Sequence, residues 1–355
     1  MNLYERSKQE AKEHRIIAGI MRLPLRVMLR TFRQKPIVKD GQKLHPEMQT
    51  ILLLRRLKKS PGMADRPPAA SRKALRRDAR VHGLRTPRGI RAVDHEIPVG
   101  EEAAIKGRLY TIESAPSSPN GSPIFVFFHG GGFVLGDIDA YDHVCRFICD
   151  QAQVSVLSVD YRLAPEFPFP TGLNDCLAAY HWVHANADRL GVDGGRVAIG
   201  GDSAGANFAT IIAQVTAAEG RHLPFYQWLI YPTVDRTVDY PSATLFADEF
   251  FLRAKDIAYF DEHYGASDRS DGRVSPIKGQ KLSGLARTLI VTAGFDLLRD
   301  EGEAYAEALR RAGTRVEVMR FPGLIHGFIN MIGLSPEAKK SFGKAVKHLK
   351  EVIHG

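Results

Sequence analysis

Cysteine and tryptophan are scarce in this chain of 355 residues, which has three of the first and two of the second. Cys145, Cys149 and Cys176 are too few for a disulfide framework, and no C-x-x-C pair occurs. That argues for a reducing compartment and against a structural zinc site. No apolar run reaches the roughly 18 residues that a membrane span needs. The nearest approach to a secretory leader, Ile16 to Met21, is short, is followed by Arg22 and Arg26, and has no small-residue cleavage site. The expectation is an unprocessed, cytoplasmic protein. Internal repeats and low-complexity tracts are missing as well. What is present is ordinary for a globular chain: 44% hydrophobic, 25% charged, 32 Gly and 20 Pro. The length allows one large α/β domain or two smaller ones.

Acidic residues are scarce in one region only. Residues 1–90 hold 23 Lys+Arg against 7 Asp+Glu, and the remainder holds 26 against 33, so the net +9 divides into +16 and −7. Arg22, Arg26, Arg30 and Arg33 fall on one helix face, with Ile16, Ile20, Leu23 and Val27 on an apolar one and Pro24 as a break. A basic amphipathic arm of this kind sets up an expectation of membrane-surface contact through residues 1–34. The plainer alternative is an apolar face packed on the protein with solvated arginines. The arm lacks interleaved aromatics and any nucleic-acid motif, so nucleic acid is not an expected partner.

Beyond residue 90 the pattern changes from basic and helical to alternating strands and helices. Earlier, His45-Pro46-Glu47-Met48 opens a helix reaching about Lys59, and a second is expected over 70–81, closed by Gly83. Strands are expected at 92–99, 105–112, 123–128, 154–159, 196–200, 226–231, 287–292 and 315–321. Helices are expected at 140–151, 173–187, 204–218, 254–264, 301–312 and 336–353. Continuous apolar runs such as Ile124 to Phe128 suit strands buried on both faces of a mostly parallel sheet. The first two strands have no helix between them and should form an antiparallel edge. Residues 235–285 read as an irregular insertion above the sheet.

Gly201-Asp202-Ser203-Ala204-Gly205 carries the clearest chemistry. It stands between an apolar strand and a helix, as a nucleophile elbow does, with small residues two positions either side of the serine. His129-Gly130-Gly131-Gly132-Phe133 follows another strand. Three glycines let backbone N–H groups face a pocket, so Gly131, Gly132 and Ala204 are the candidate oxyanion donors. His129 opens that loop and is expected to orient rather than to act as a base. An elbow's partners follow in the order acid, then histidine. Asp296 is the first carboxylate after strand 287–292. Asp300 should fall inside the next helix as a surface or capping charge. His326 lies in the loop after the last strand. Asp202 and Glu166 read as local hydrogen-bonding groups, and the cysteines as buried small apolar residues. His181 and His184 have no evident third ligand nearby, so metal binding there is not expected.

Together, His129–Phe133, Asp160-Tyr161-Arg162-Leu163-Ala164-Pro165-Glu166, Gly201–Gly205, Asp296–Glu301 and His326-Gly327-Phe328 resemble, in order, the motifs of the hormone-sensitive-lipase-like carboxylesterases, the bacterial family IV esterases of the α/β-hydrolase superfamily. Ala206 replaces a common further glycine, and Leu297 a common proline. The resemblance implies an α/β-hydrolase fold, with a mostly parallel eight-stranded sheet flanked by helices. It implies an N-terminal helical cap, with Phe250–Pro276 resembling the family's segment between the sixth and seventh strands. The division expected is 1–43 as a basic extension, 44–90 as cap and 91–355 as catalytic domain. It further implies a serine esterase acting on short- to medium-chain acyl esters through Ser203, His326 and Asp296, with no metal or organic cofactor, and a homodimer. An amidase or deformylase with the same triad is the alternative; a non-catalytic ligand receptor is opposed by the complete Ser, Asp and His set.

Overall fold

The computed structural model describes Gly19 and residues 35–84, 86–113 and 120–355. The arginine and apolar faces expected between residues 16 and 33 lie outside the described residues. Eight strands among the described residues form one sheet: β3 (Ile90–Pro98), β4 (Ala104–Ile112), β5 (Ser122–Phe128), β6 (Ser155–Asp160), β7 (Val192–Asp202), β8 (Tyr226–Ile230), β9 (Thr288–Phe295) and β10 (Val316–Ile325). Their order is β10-β9-β8-β7-β5-β6-β4-β3. From β10 to β6 every pairing is parallel, while β4 runs antiparallel to both β6 and β3. This is the α/β-hydrolase arrangement with its antiparallel edge.

Burial explains the strand sequences. Ile124 to Phe128 of β5 and all of β8 and β9 are buried, so each strand is apolar on both faces. Helices cover those faces: α3 (Asp142–Ala152), α4 (Thr171–Ala185), α6 (Ala204–Glu219), α9 (Arg299–Arg311) and α10 (Pro336–His354), with α5 (Ala187–Leu190) a single short turn. Helix α6 is buried along nearly its whole first three turns, which is why it shows small and apolar residues all round rather than a stripe. Observed and expected elements differ by a few residues at their ends. The larger departures are β7, which starts earlier across the polar Asp193–Gly195, and β10, which continues through Pro322 and Gly323 with a shift in register.

Above the sheet lie α1 (Pro46–Leu57), α2 (Pro68–His82), α7 (Pro241–Leu245) and α8 (Ala254–Tyr264). Ion pairs and a hydrogen bond join the link between α1 and α2 to the start of α8 across a long stretch of sequence. Asp256 is buried, accepts the Ala64 N–H at 2.9 Å and pairs with Arg253 at 2.7 Å, while Asp65 meets Arg253 and Lys255. A two-stranded hairpin, β1 (Val38–Lys39) and β2 (Gln42–Lys43), leads into α1. The His45 N–H donates to the Gly323 carbonyl at 2.8 Å and fixes that entry beside the end of β10. Among the described residues no helix is long and apolar enough to cross a membrane.

Candidate active site

Ser203 occupies the turn between β7 and α6 with φ 54° and ψ −116°, a backbone state that costs a non-glycine residue on the order of 1–3 kcal/mol. The surroundings enforce it. The Ser203 N–H donates to the Ile230 carbonyl at 2.9 Å, and Gly201 and Gly205 pass so close to the Phe128 carbonyl that a Cβ on either would collide with it. The serine hydroxyl therefore projects from the N-terminus of a 16-residue helix, where the helix dipole favours negative charge.

His326 and Asp296 arrive from the ends of β10 and β9. His326 Nε2 lies 3.1 Å from Ser203 Oγ, and His326 Nδ1 lies 2.8 Å from Asp296 Oδ2. Asp296 Oδ1 accepts the Leu298 N–H at 2.9 Å, so its carboxylate is held from both sides. A carboxylate can only accept, so the shared proton belongs on Nδ1 and the Nε2 lone pair faces the serine hydroxyl. Ser203 and His326 are 8% and 7% exposed and Asp296 only 1%: the first two reach a surface and the acid is sealed beneath them. Asp300 is elsewhere. It accepts the Ser242 N–H in the first turn of α7 at 2.9 Å and pairs with Arg299, the capping role expected of it.

The glycine loop is tied to the same elbow. Gly131 and Gly132 have φ of 122° and 61°, and the carbonyl of Gly131 accepts the Leu135 N–H at 2.8 Å. The Gly130 N–H is already used, donating to Asp202 Oδ1 at 2.7 Å. Among the described residues the N–H groups of Gly131, Gly132 and Ala204 have no partner. Asp202 thus ties elbow to glycine loop. Its Oδ2 also accepts from Tyr141 and Tyr231 at 3.2 and 3.3 Å, and burial pushes its carboxyl up to about 6. His129 stacks on Tyr161 with centroids 4.3 Å apart, its Nδ1 2.9 Å from the Gly130 carbonyl oxygen. Burial holds it down to about 4, a neutral spacer away from Ser203.

Two expectations need correcting. Asp202, bonded to Gly130, Tyr141 and Tyr231, is not a local group, and neither is Glu166. Glu166 receives both ends of Arg72, a residue of α2, at 2.9 and 2.7 Å. Arg72 also donates to the Val134 and Ala164 carbonyls, so one side chain clamps the glycine loop, the Asp160–Glu166 segment and α2. Sequence reading missed Arg72; its spacing from Arg76, which pairs with Asp137, is the signal that could have marked that helix face. The second correction concerns His181 and His184. A third imidazole is nearby: His222, 4.4 Å from His184 between centroids, with Glu219 3.9 Å from His181. The rings of His184 and His222 lie tilted over one another at 32°, which turns their lone pairs away from a common centre. No group of three His, Cys, Asp or Glu among the described residues is placed to hold a metal ion. The three cysteines are buried and unpaired, as expected.

A family model described as the alpha/beta hydrolase fold matches residues 125–330. The carboxylic ester hydrolase LipN of Mycobacterium tuberculosis is 41% identical over 310 residues, 84% of this chain and 81% of that protein. The ethyl acetate hydrolase of Pseudomonas putida is 37% identical over 230 residues, 64% of this chain and 72% of that one. Among solved structures, an ester-hydrolase from the metagenome of Lake Arreo, complexed with a derivative of bipyridine phosphonate, matches with a TM-score of 0.83 at 33% identity, covering 88% of this chain and 100% of that one.

Proposed function

This chain belongs to the hormone-sensitive-lipase-like carboxylesterases of the α/β-hydrolase family, and from that premise we propose that it hydrolyses short- to medium-chain acyl esters through Ser203, His326 and Asp296. The observation that carries the reading is the continuous chain of contacts from Ser203 Oγ to His326 at 3.1 Å and on to Asp296 at 2.8 Å, beside three unpartnered backbone N–H groups. In this mechanism Ser203 Oγ attacks the ester carbonyl carbon and His326 Nε2 takes its proton. The new C–O bond forms as the carbonyl π pair moves to oxygen, and the N–H groups of Gly131, Gly132 and Ala204 stabilise that oxyanion. Each such donor contributes about 3 kcal/mol of transition-state stabilisation. The tetrahedral centre then collapses. The alcohol leaves with the proton from His326, and an acyl-serine remains. Water, deprotonated by the same imidazole, releases the acid. Asp296 holds the Nδ1–H tautomer and stabilises the imidazolium throughout. No step calls on a metal or an organic cofactor.

The deciding experiment is a phosphonate ester label on the intact protein, read by mass spectrometry, together with turnover of a chromogenic butyrate ester. The wild type should gain one label on Ser203. Ser203→Ala should stay folded, take no label and lose roughly 10⁶ in kcat. A folded variant retaining a tenth of the activity would overturn the nucleophile. Faster turnover of the matching butyramide than of the ester would move the reading to an amidase.

A further inference from the structure

A cavity of about 550 Å³ lies between α1, α2 and the domain below. Leu54 and Leu75 of the two helices and Leu135 and Phe251 beneath them give it apolar walls. It borders both catalytic loops. The Leu135 N–H donates to Gly131, and the Asn330 N–H, in the same wall, donates to the Gly327 carbonyl at 3.0 Å. The Phe251 ring covers Gly327, where an added Cβ would meet ring carbons at 3.0 and 3.2 Å. One aromatic ring therefore meets both this cavity and the residue next to His326.

The same ring also carries a cation. The Arg55 guanidinium stands 5.1 Å from the Phe251 ring centre and lines the cavity. Four other partly or wholly buried arginines have a carboxylate within ion-pair distance, though among the described residues Arg66 in the same lining does not: Arg72 with Glu166 at 2.7 Å, Arg162 with Asp175 at 2.6 Å, Arg253 with Asp256 at 2.7 Å and Arg299 with Asp40 at 2.8 Å. Among the described residues Arg55 has none. The acidic groups that act on it at longer range are engaged elsewhere: Asp256 by Arg253 and Ala64, Asp78 by Arg77 at 3.4 Å. Burial, together with the like charges of Arg253 and Arg66, pulls its guanidinium below the usual value against the attraction of Asp78. A charge held in such a place gains from an anionic partner that brings paired hydrogen bonds, and a carboxylate matches a guanidinium fork.

We propose that this cavity is a substrate subsite and that Arg55 binds a carboxylate at the end of one arm of the ester, so that the enzyme prefers esters carrying a terminal carboxylate to neutral esters of the same length. The inference rests on the esterase reading above. The apolar walls take the methylene chain, Phe251 sets the distance to the reacting carbonyl, and Arg55 supplies the charge at the end.

Two matched pairs of esters test it, followed by pH-stat at constant ionic strength. Monomethyl adipate against methyl hexanoate places the carboxylate on the acyl arm. The acetate of 6-hydroxyhexanoic acid against hexyl acetate places it on the alcohol arm. In one pair, kcat/KM should favour the anionic ester by about tenfold or more, the worth of a charge-assisted hydrogen bond. Arg55→Met should collapse that ratio, Arg55→Lys should keep part of it, and Arg55→Glu should shift preference toward methyl 6-aminohexanoate. A wild-type ratio near one in both pairs, or a ratio indifferent to Arg55→Met, would overturn the inference. Should the Arg55 variants fail to fold, competitive inhibition of the wild type decides: adipate should bind about tenfold or more tighter than hexanoate, and equal inhibition refutes the subsite. Failure to hydrolyse even the neutral esters would instead sink the esterase reading, and this inference with it.

Discussion

The sheet side of Ser203 and the side covered by α1, α2 and α8 are held together by different physics. On the sheet side the backbone does the positioning. Gly201 and Gly205 touch the Phe128 carbonyl, the Gly130 N–H is spent on Asp202, and Ser203 is fixed to Ile230. On the helical side, side chains do it. Arg72 reaches Glu166, Arg76 reaches Asp137, and Arg253 and Lys255 reach Asp65. Main-chain contacts at van der Waals distance leave no room for a different residue. Ion pairs between partly exposed side chains can be exchanged for others at a cost of about 1 kcal/mol or less. The contrast separates what a family's chemistry requires from what a substrate preference can vary.

Substitution should break the two sides unequally. Asp296→Asn keeps the shape of the site but removes the acceptor that fixes the His326 tautomer, and kcat should fall by ~10⁴. Asp300→Asn, which loses contacts to Ser242 and Arg299 only, should fall less than about tenfold. Steady-state kinetics on one ester rank the pair, and the reverse ranking would reassign the acid. Gly205→Ala is next. Its methyl would be driven into the backbone of Phe128 and His129, which cannot rotate away, so stability should drop by about 3 kcal/mol or more. A denaturant midpoint equal to the wild type would show that the elbow is looser than its distances imply.

On the helical side, Arg72→Met and Glu166→Gln should differ. Glu166→Gln loses one partly exposed ion pair and should cost about 1 kcal/mol or less. Arg72→Met also strips donors from the Val134 and Ala164 carbonyls, and should cost about 2 kcal/mol with a raised KM from a loosened glycine loop. Equal losses in the two variants would mean that the backbone bonds of Arg72 contribute nothing.

Legibility followed the same division. Glycine spacing, strand periodicity and chain order announced β5, β7, the elbow and the three catalytic candidates, because each is a local pattern with one backbone solution. Nothing local announces Arg72 with Glu166, whose partners are separated by 94 positions, nor His222 folding back over His184 through a left-handed turn. In the sequence Arg55 is one of four basic residues within Arg55–Lys59. Its lack of a carboxylate at ion-pair distance among the described residues is visible only in the fold. Long-range pairings leave no period in a sequence, and an arginine without a partner leaves none either.

One further substitution tests whether a buried carboxylate outside both halves of the site carries its proton in the folded state. Glu301 is buried at the start of α9, accepts the Val234 N–H at 2.7 Å, and is pushed by burial from 4.5 up to about 7, with Arg236 opposing the rise. The unfolded chain releases this proton near pH 4.5 while the folded chain keeps it until about 7. The contribution is therefore fully present below pH 4.5 and is lost as pH rises through about 7. Glutamine at this position imitates the protonated side chain at every pH and can still accept from Val234. The melting temperature of Glu301→Gln minus that of the wild type should accordingly climb from pH 5 to pH 8, by the equivalent of about 2–3 kcal/mol at the limit. A difference that stays flat, or that falls with pH, would mean that Glu301 is ionised in the fold and is held by Arg236 instead.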